Sequence, residues 1–398
     1  MRSISRCAAQ LTTIGVTLAA RVGGAQTVTR AMGAPDVEYP VAFTAISSLR
    51  ELRDGRVIVT DRREKSLQVL DLGKGLSQPV GRVGAGPGEW GALSPLHALP
   101  NDTTLMADAA NDRYFIINPD GKAGATFRAP ESSLLGDSDL RGVDEQGRML
   151  LIRERRSAAA ASGSTGVADV LRFDRKTNRV DTVAVLALPR GERTAATMVG
   201  EGTIRMVTNL PLASQDLAVL APNGNIAIVR ASPYRVEWIS PSGAHVLGPI
   251  AVASAVRITQ AEKEAFARSQ TRPGGILVRG PTGAVPPASP GEPRGARVPV
   301  ASAQDINAML NPEMTWPTVK PPFLAGAAQV ARDGRVWVLR ARAHDDSIPS
   351  YDVFDSAGRA VERVTLPKRT RVIGFGGGTV YLARTDDDDL VWLQRVRR

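Results

Sequence analysis

The sequence predicts an all-β protein, a six-bladed β-propeller closed by its own N-terminal strand, and three observations carry that prediction. A unit of turn, apolar strand and second strand recurs six times at a spacing of tens of residues, the mark of a ring or array of repeats. Its turns include the Asp-Gly and Asn-Gly pairs that join hairpins, as at Asp54-Gly55, Asn223-Gly224 and Asp333-Gly334. The 38 glycines and 27 prolines among 398 residues suit many tight turns, whereas long apolar-periodic helices are scarce.

Taken in order, residues 1–6 are basic, 11–20 are apolar, and Gly23-Gly24-Ala25 offers small residues for cleavage before Gln26. These are the three regions of a secretory signal peptide, here 1–25, and the apolar run is too short to span a bilayer. Residues 26–36 read as a flexible N-terminal segment, and 37–398 as the propeller. Residues 37–43 (Val-Glu-Tyr-Pro-Val-Ala-Phe) have no hairpin partner of their own. They are expected to supply the outer strand of the last blade, which lacks room for a fourth strand, and so to close the ring and remove an exposed edge. The blades fall at about 44–86, 87–130, 134–189, 195–253, 323–367 and 369–396, each opening on a leading strand. Between the fourth and fifth lies a helical and proline-rich insertion, 258–322. It opens on the capping box Thr259-Gln260-Ala261-Glu262, passes through a Pro/Gly-rich tract, and returns by a second short helix at 302–310.

The composition narrows the classes of function. Of the formal charge of +10, the leader's Arg2, Arg6 and Arg21 contribute three, leaving the mature chain near +7. The basic residues are scattered, and an aromatic content of 5% is too sparse for a base-stacking surface, so nucleic acid is not expected as a partner. The charge favours anionic partners instead. Cys7, the one cysteine, lies inside the leader, which excludes a disulfide, a cysteine nucleophile or a thiolate zinc site in the mature chain. No later stretch reaches membrane-spanning length, so the expected location is periplasmic or extracellular, and the expected state a monomer.

The stretch Gly81-Arg82-Val83-Gly84-Ala85-Gly86-Pro87-Gly88-Glu89-Trp90, followed by Leu93-Ser94-Pro95 and by Met106-Ala107-Asp108, resembles the repeat of NHL-type β-propellers. Val59-Thr60-Asp61 supplies the matching aspartate of the first unit, and the later units keep only the turn-strand-strand pattern. The resemblance extends from about residue 39 to 396 and implies an exported bacterial six-bladed propeller. The glycine run lacks the Lys-Ser/Thr of a phosphate loop and no helix follows it, so it reads as an inter-blade turn.

Related propeller enzymes, calcium-dependent lactonases and phosphotriesterases, imply a tunnel metal held by oxygen ligands. Asp61, Asp108 and Asn111 are the residues here that could be proposed for one, although such aspartates commonly cap turns. The run 386–389, four aspartates, lacks the alternation of a calcium loop and reads as a solvated hairpin tip. No Gly-x-Ser-x-Gly accompanies the three histidines, so no catalytic residue is assigned. Arg50, His97 and Arg141 align in the leading strands of the first three units, and a closed ring would bring them together as a basic arc suited to a carboxylate, phosphate or acidic glycan. Tyr234, Arg235 and Trp316 are further candidate ligand-binding residues, with Trp316 placed to anchor the insertion or line a pocket beneath it. The reading is therefore an exported, non-catalytic binding or scaffold module recognising a small anionic ligand, glycan or protein partner, with no cofactor. The alternative is a calcium-type hydrolase or lactonase with its site at the central tunnel.

Overall fold

A computed structural model describes residues 27–128, 138–156, 164–189, 193–199, 203–208, 211–271 and 315–398. The signal peptide, the Pro/Gly-rich tract and the expected helix at 302–310 lie outside them.

Six four-stranded antiparallel sheets follow one another along the chain, each running from an inner to an outer strand. Blade 1 comprises Ile46–Glu51, Val57–Asp61, Ser66–Asp71 and Leu76–Pro79, and blade 2 Leu96–Ala98, Thr104–Asp108, Arg113–Ile117 and Ala123–Phe127. Blade 3 comprises Ser138–Val143, Met149–Arg156, Ser164–Asp174 and Arg179–Ala187. A separate hairpin, Arg193–Val199 with Thr203–Thr208, precedes blade 4, which is Leu217–Leu220, Ile226–Ala231, Tyr234–Ile239 and His245–Leu247. Blade 5 is Ala328–Val330, Val336–Leu339, Ser350–Phe354 and Ala360–Thr365. Blade 6 takes Thr370–Phe375, Thr379–Thr385 and Val391–Arg397 from the end of the chain and its outer strand, Val37–Glu38, from the beginning.

That last pairing closes the ring as the sequence suggests. Val37 sits opposite Arg395 and Glu38 opposite Gln394, and the Tyr39 and Phe43 amides donate to the Leu393 and Val391 carbonyls, each at 2.8 Å. Part of the segment expected to be flexible is paired. Val28–Ala31 lies parallel to Ala360–Thr365 as a fifth strand on blade 5, because its backbone finds the edge that blade 5 leaves unpaired.

Stability resides between blades. Among the described residues six buried hydrophobic clusters occur, and each joins one blade to the next around the whole ring. The second strand of each blade is buried on both faces, so alternate residues serve opposite neighbours: Val57 and Val59 pack toward blade 6, and Ile58 between them toward blade 2. This explains why Val57-Ile58-Val59 reads as a continuous apolar run instead of an alternating one. At about 25 cal/mol per Å² of apolar surface, such contacts dominate the folding energy.

The insertion begins as expected. Thr259 Oγ1 accepts the Glu262 amide at 3.3 Å, capping the helix Gln260–Thr271, the one α-helix among the described residues. Glu262 is buried against blade 5, where it pairs with Lys320 Nζ at 2.5 Å and accepts the His344 amide at 2.7 Å. None of the described helices is long and apolar enough to cross a membrane.

Candidate functional site

The aligned Arg50, His97 and Arg141 do not form a basic arc. Arg50 is buried, 7% exposed, and committed to blade 2: it pairs with Asp102 Oδ1 at 2.6 Å and donates to Thr104 Oγ1 at 2.5 Å. Burial lowers its pKa, against the opposing attraction of Asp102. His97 occupies the equivalent register, opposite Leu105 as Arg50 is opposite Ile58. Its ring is half-buried and has no hydrogen-bond partner among the described residues, and desolvation pushes its pKa down to about 4, so it is neutral at pH 7. In blade 3 the register shifts between Leu140 and Gly142, so Gly142, opposite Leu150, takes the place expected for Arg141. Arg141 is the extra residue of a β-bulge, half exposed and paired with Asp139 at 3.1 Å. A bulge leaves no trace in a turn-strand-strand pattern, and it displaces the third member of the arc.

Among the proposed metal ligands, the carboxylate oxygens of Asp61 and Asp108 are engaged with the chain itself. Asp61 Oδ2 accepts the amides of Thr44 and Ala45, and Oδ1 those of Arg63 and Glu64, at 2.8–3.1 Å. Asp108 Oδ1 accepts the Gly91 and Ala92 amides, while Oδ2 takes Asn111 Nδ2 at 2.7 Å and Arg113 Nε at 3.2 Å. Asn111 also donates to the Gly84 carbonyl. In both blades the aspartate after the second strand ties down the linker that precedes the first. No group of three or more His, Cys, Asp or Glu suited to a metal ion occurs among the described residues.

The other candidates are divided between core and insertion. Tyr234 is buried against Phe323 and Phe354 and donates to Asp352 Oδ2 at 3.2 Å. Burial, reinforced by the Asp352 charge, raises its phenol well above the ordinary range. Asp352 also takes Arg340 at 2.6 Å and Arg363 at 3.0 Å, so this network welds blade 4 to blade 5. Arg235 lies on the same strand, partly buried, and its Nε has no hydrogen-bond partner among the described residues. Trp316 meets Phe266 edge-on at 5.5 Å, with Lys263 Nζ 5.6 Å from its ring centroid, and so fastens the returning chain to the helix.

A different place combines open volume with unbalanced charge. Where the first hairpin turn of blade 5 faces that of blade 6, a cleft of about 250 Å³ is lined by Arg332, Arg335, Arg398, Trp337, Phe375 and Thr379, among others. Three guanidiniums face one carboxylate, Asp333, which pairs with Arg335 at 3.6 Å. Arg398 lies over the Trp337 ring, 4.6 Å from its centroid, and reaches Glu362. Arg332 donates to the Glu51 carbonyl at 2.9 Å and has no carboxylate partner among the described residues.

The cleft wall is held from blade 1. The Glu51 carboxylate crosses to blade 6 and accepts the Gly377 amide at 2.8 Å and the Thr379 and Tyr381 hydroxyls at 2.5 Å each. Burial alone would raise its pKa, but these bonds and the Arg332 charge outweigh it and hold the carboxyl below the usual range. Position 376 must be glycine for this approach, since a Cβ there would collide with the Glu51 carboxylate.

Sequence reasoning missed this cleft. The Asp333-Gly334 turn was visible, but as a hairpin; its partners on blade 6 lie some 40–60 residues further on. The available signal was the pair of arginines flanking one Asp-Gly turn.

No protein-family model matches the chain, and no curated protein matches it in sequence. Among solved structures, it is similar to the calcium-binding protein regucalcin of Agrobacterium tumefaciens, at 12% identity and a TM-score of 0.43 over 93% of this chain and 96% of that one. It is similar to a luciferin-regenerating enzyme at 10% identity and 0.42, over 92% and 96%. Virginiamycin B lyase of Staphylococcus aureus gives 9% and 0.36, over 89% and 85%. The six-bladed architecture rests on the chain's own strand pairing.

Proposed function

We propose that this protein is an exported binding module that holds a small anionic ligand in the cleft between blades 5 and 6. The observation that carries the reading is Arg332, a guanidinium on the cleft with no carboxylate ion-pair partner among the described residues, whereas Arg335 is paired with Asp333 and Arg398 with Glu362. A cleft of about 250 Å³ falls below the ~300–1,000 Å³ typical of drug-sized ligands, which favours a small molecule over a glycan chain or a protein surface. Arginine forks suit carboxylate or phosphate oxygens, and partial enclosure strengthens each charge-assisted bond relative to water. Export is supported by the tripartite leader at 1–25.

Calorimetric titration of the mature protein with simple anions at low ionic strength tests the reading. Binding should weaken about tenfold in Arg332→Ala and further in Arg332→Ala/Arg398→Ala, consistent with the ~1.5–3 kcal/mol of a hydrogen bond to a charged group. Equal binding by wild type and double variant would reject the cleft as the site.

A further inference from the structure

We propose that the ligand of this cleft is a planar aromatic carboxylate, its ring on Trp337 and Phe375 and its carboxylate on the arginine rim. This rests on the reading of the cleft as an anion site and adds the chemical class of the occupant.

The floor of the cleft is aromatic. Trp337 and Phe375 lie with ring centroids 5.2 Å apart and planes tilted by 56°. Trp337 is only 1% exposed because its neighbours cover it, and one of these is the Arg398 guanidinium stacked on its face. A guanidinium lying on an indole marks a position where a flat, delocalised group fits. A ligand ring that takes this position would release Arg398 to meet a carboxylate at the rim, where two parallel N–H donors match its two oxygens.

The second observation is a donor without an acceptor. Trp337 Nε1–H is buried and has no hydrogen-bond partner among the described residues. A buried indole N–H ordinarily finds one, and leaving it unpaired destabilises the free protein. This donor belongs to a side chain that lines the cleft, so a ligand oxygen is the acceptor that would satisfy it.

Size agrees with the chemistry. A cavity of roughly 150 Å³ accepts benzene. The 250 Å³ here therefore has room for one six-membered ring with a carboxylate arm. Inorganic phosphate could meet the arginines, but it would leave the aromatic floor without a packing partner.

The experiment is isothermal titration with benzoate, acetate and inorganic phosphate against wild type, Arg332→Ala, Phe375→Leu and Trp337→Phe. Benzoate should bind about tenfold more tightly than acetate or phosphate, the increment expected for one aromatic contact. Phe375→Leu should reduce that preference several-fold while leaving acetate binding unchanged, whereas Trp337→Phe, which also removes the indole N–H offered to a ligand oxygen, should weaken acetate and benzoate alike. Circular dichroism melts would verify that the variants are folded, and Phe375→Leu carries the test alone if Trp337→Phe is not. Acetate binding as tightly as benzoate, with Arg332→Ala weakening both, would overturn the aromatic class and leave the anion site standing. Absence of binding by all three anions would overturn both.

Discussion

The inner strands of blades 1–3 and the cleft between blades 5 and 6 both gather basic side chains, yet among them the cleft alone keeps a guanidinium without a carboxylate partner. In the first region each basic group is used or silenced: Arg50 is paired with Asp102, Arg141 with Asp139, and His97 is neutral through desolvation. In the second, Arg335 is paired with Asp333 and Arg398 with Glu362, but Arg332 has no carboxylate partner among the described residues and stands beside open volume and an aromatic floor. The lesson is that a count of charges along a strand does not make a site; the surplus left after pairing does.

Substitutions that treat the two regions alike in chemistry should separate them in effect. The largest expected change is in stability at Arg50. Arg50→Ala removes one half of a largely buried ion pair and should cost about 3 kcal/mol in urea denaturation, leaving benzoate binding to the folded protein unchanged. A variant as stable as wild type would show that the pair contributes no net stability.

Next in size is a pH effect at His97. Unfolded, its imidazole titrates near 6.5, and folded near 4, so within that window the unfolded chain holds the extra proton. The contribution of this group is complete above about pH 6.5, falls as pH drops and levels off near pH 4. Allowing for partial solvent access, the loss should be on the order of 2 kcal/mol. His97→Gln should flatten that part of the stability–pH curve relative to wild type. Parallel curves for the two proteins would contradict the neutral, desolvated imidazole.

Smaller still, Arg332→Ala should alter stability by less than about 0.5 kcal/mol, because the side chain is exposed and its loss leaves no buried group unpaired. Its effect belongs to binding. Arg141→Ala should change neither quantity measurably, since its pair with Asp139 is solvent-exposed. A large loss of binding in Arg141→Ala would restore the channel arc.

The fold was legible because its determinants are local. Each Asp-Gly or Asn-Gly pair announces a hairpin, and the unpartnered strand at 37–43 matches the strand missing from blade 6. The third member of the arc was misplaced by one residue because a bulge at Arg141 depends on tertiary fit: a Cβ at Gly142 would already press on Leu220 of the next blade. Val28–Ala31 was unreadable for a related reason, as four residues form a strand only when a vacant edge lies beside them. The cleft was hidden because Arg332 and Trp337 meet Phe375 and Arg398 only after the ring forms. Nothing in either segment alone distinguishes surplus charge from paired charge.

The most direct test of where this protein holds an anion is a benzoate titration of Arg332→Ala and Arg141→Ala side by side with wild type. The cleft account predicts about tenfold weaker binding in Arg332→Ala and none of that loss in Arg141→Ala. Weaker binding in Arg141→Ala with Arg332→Ala unaffected would contradict it.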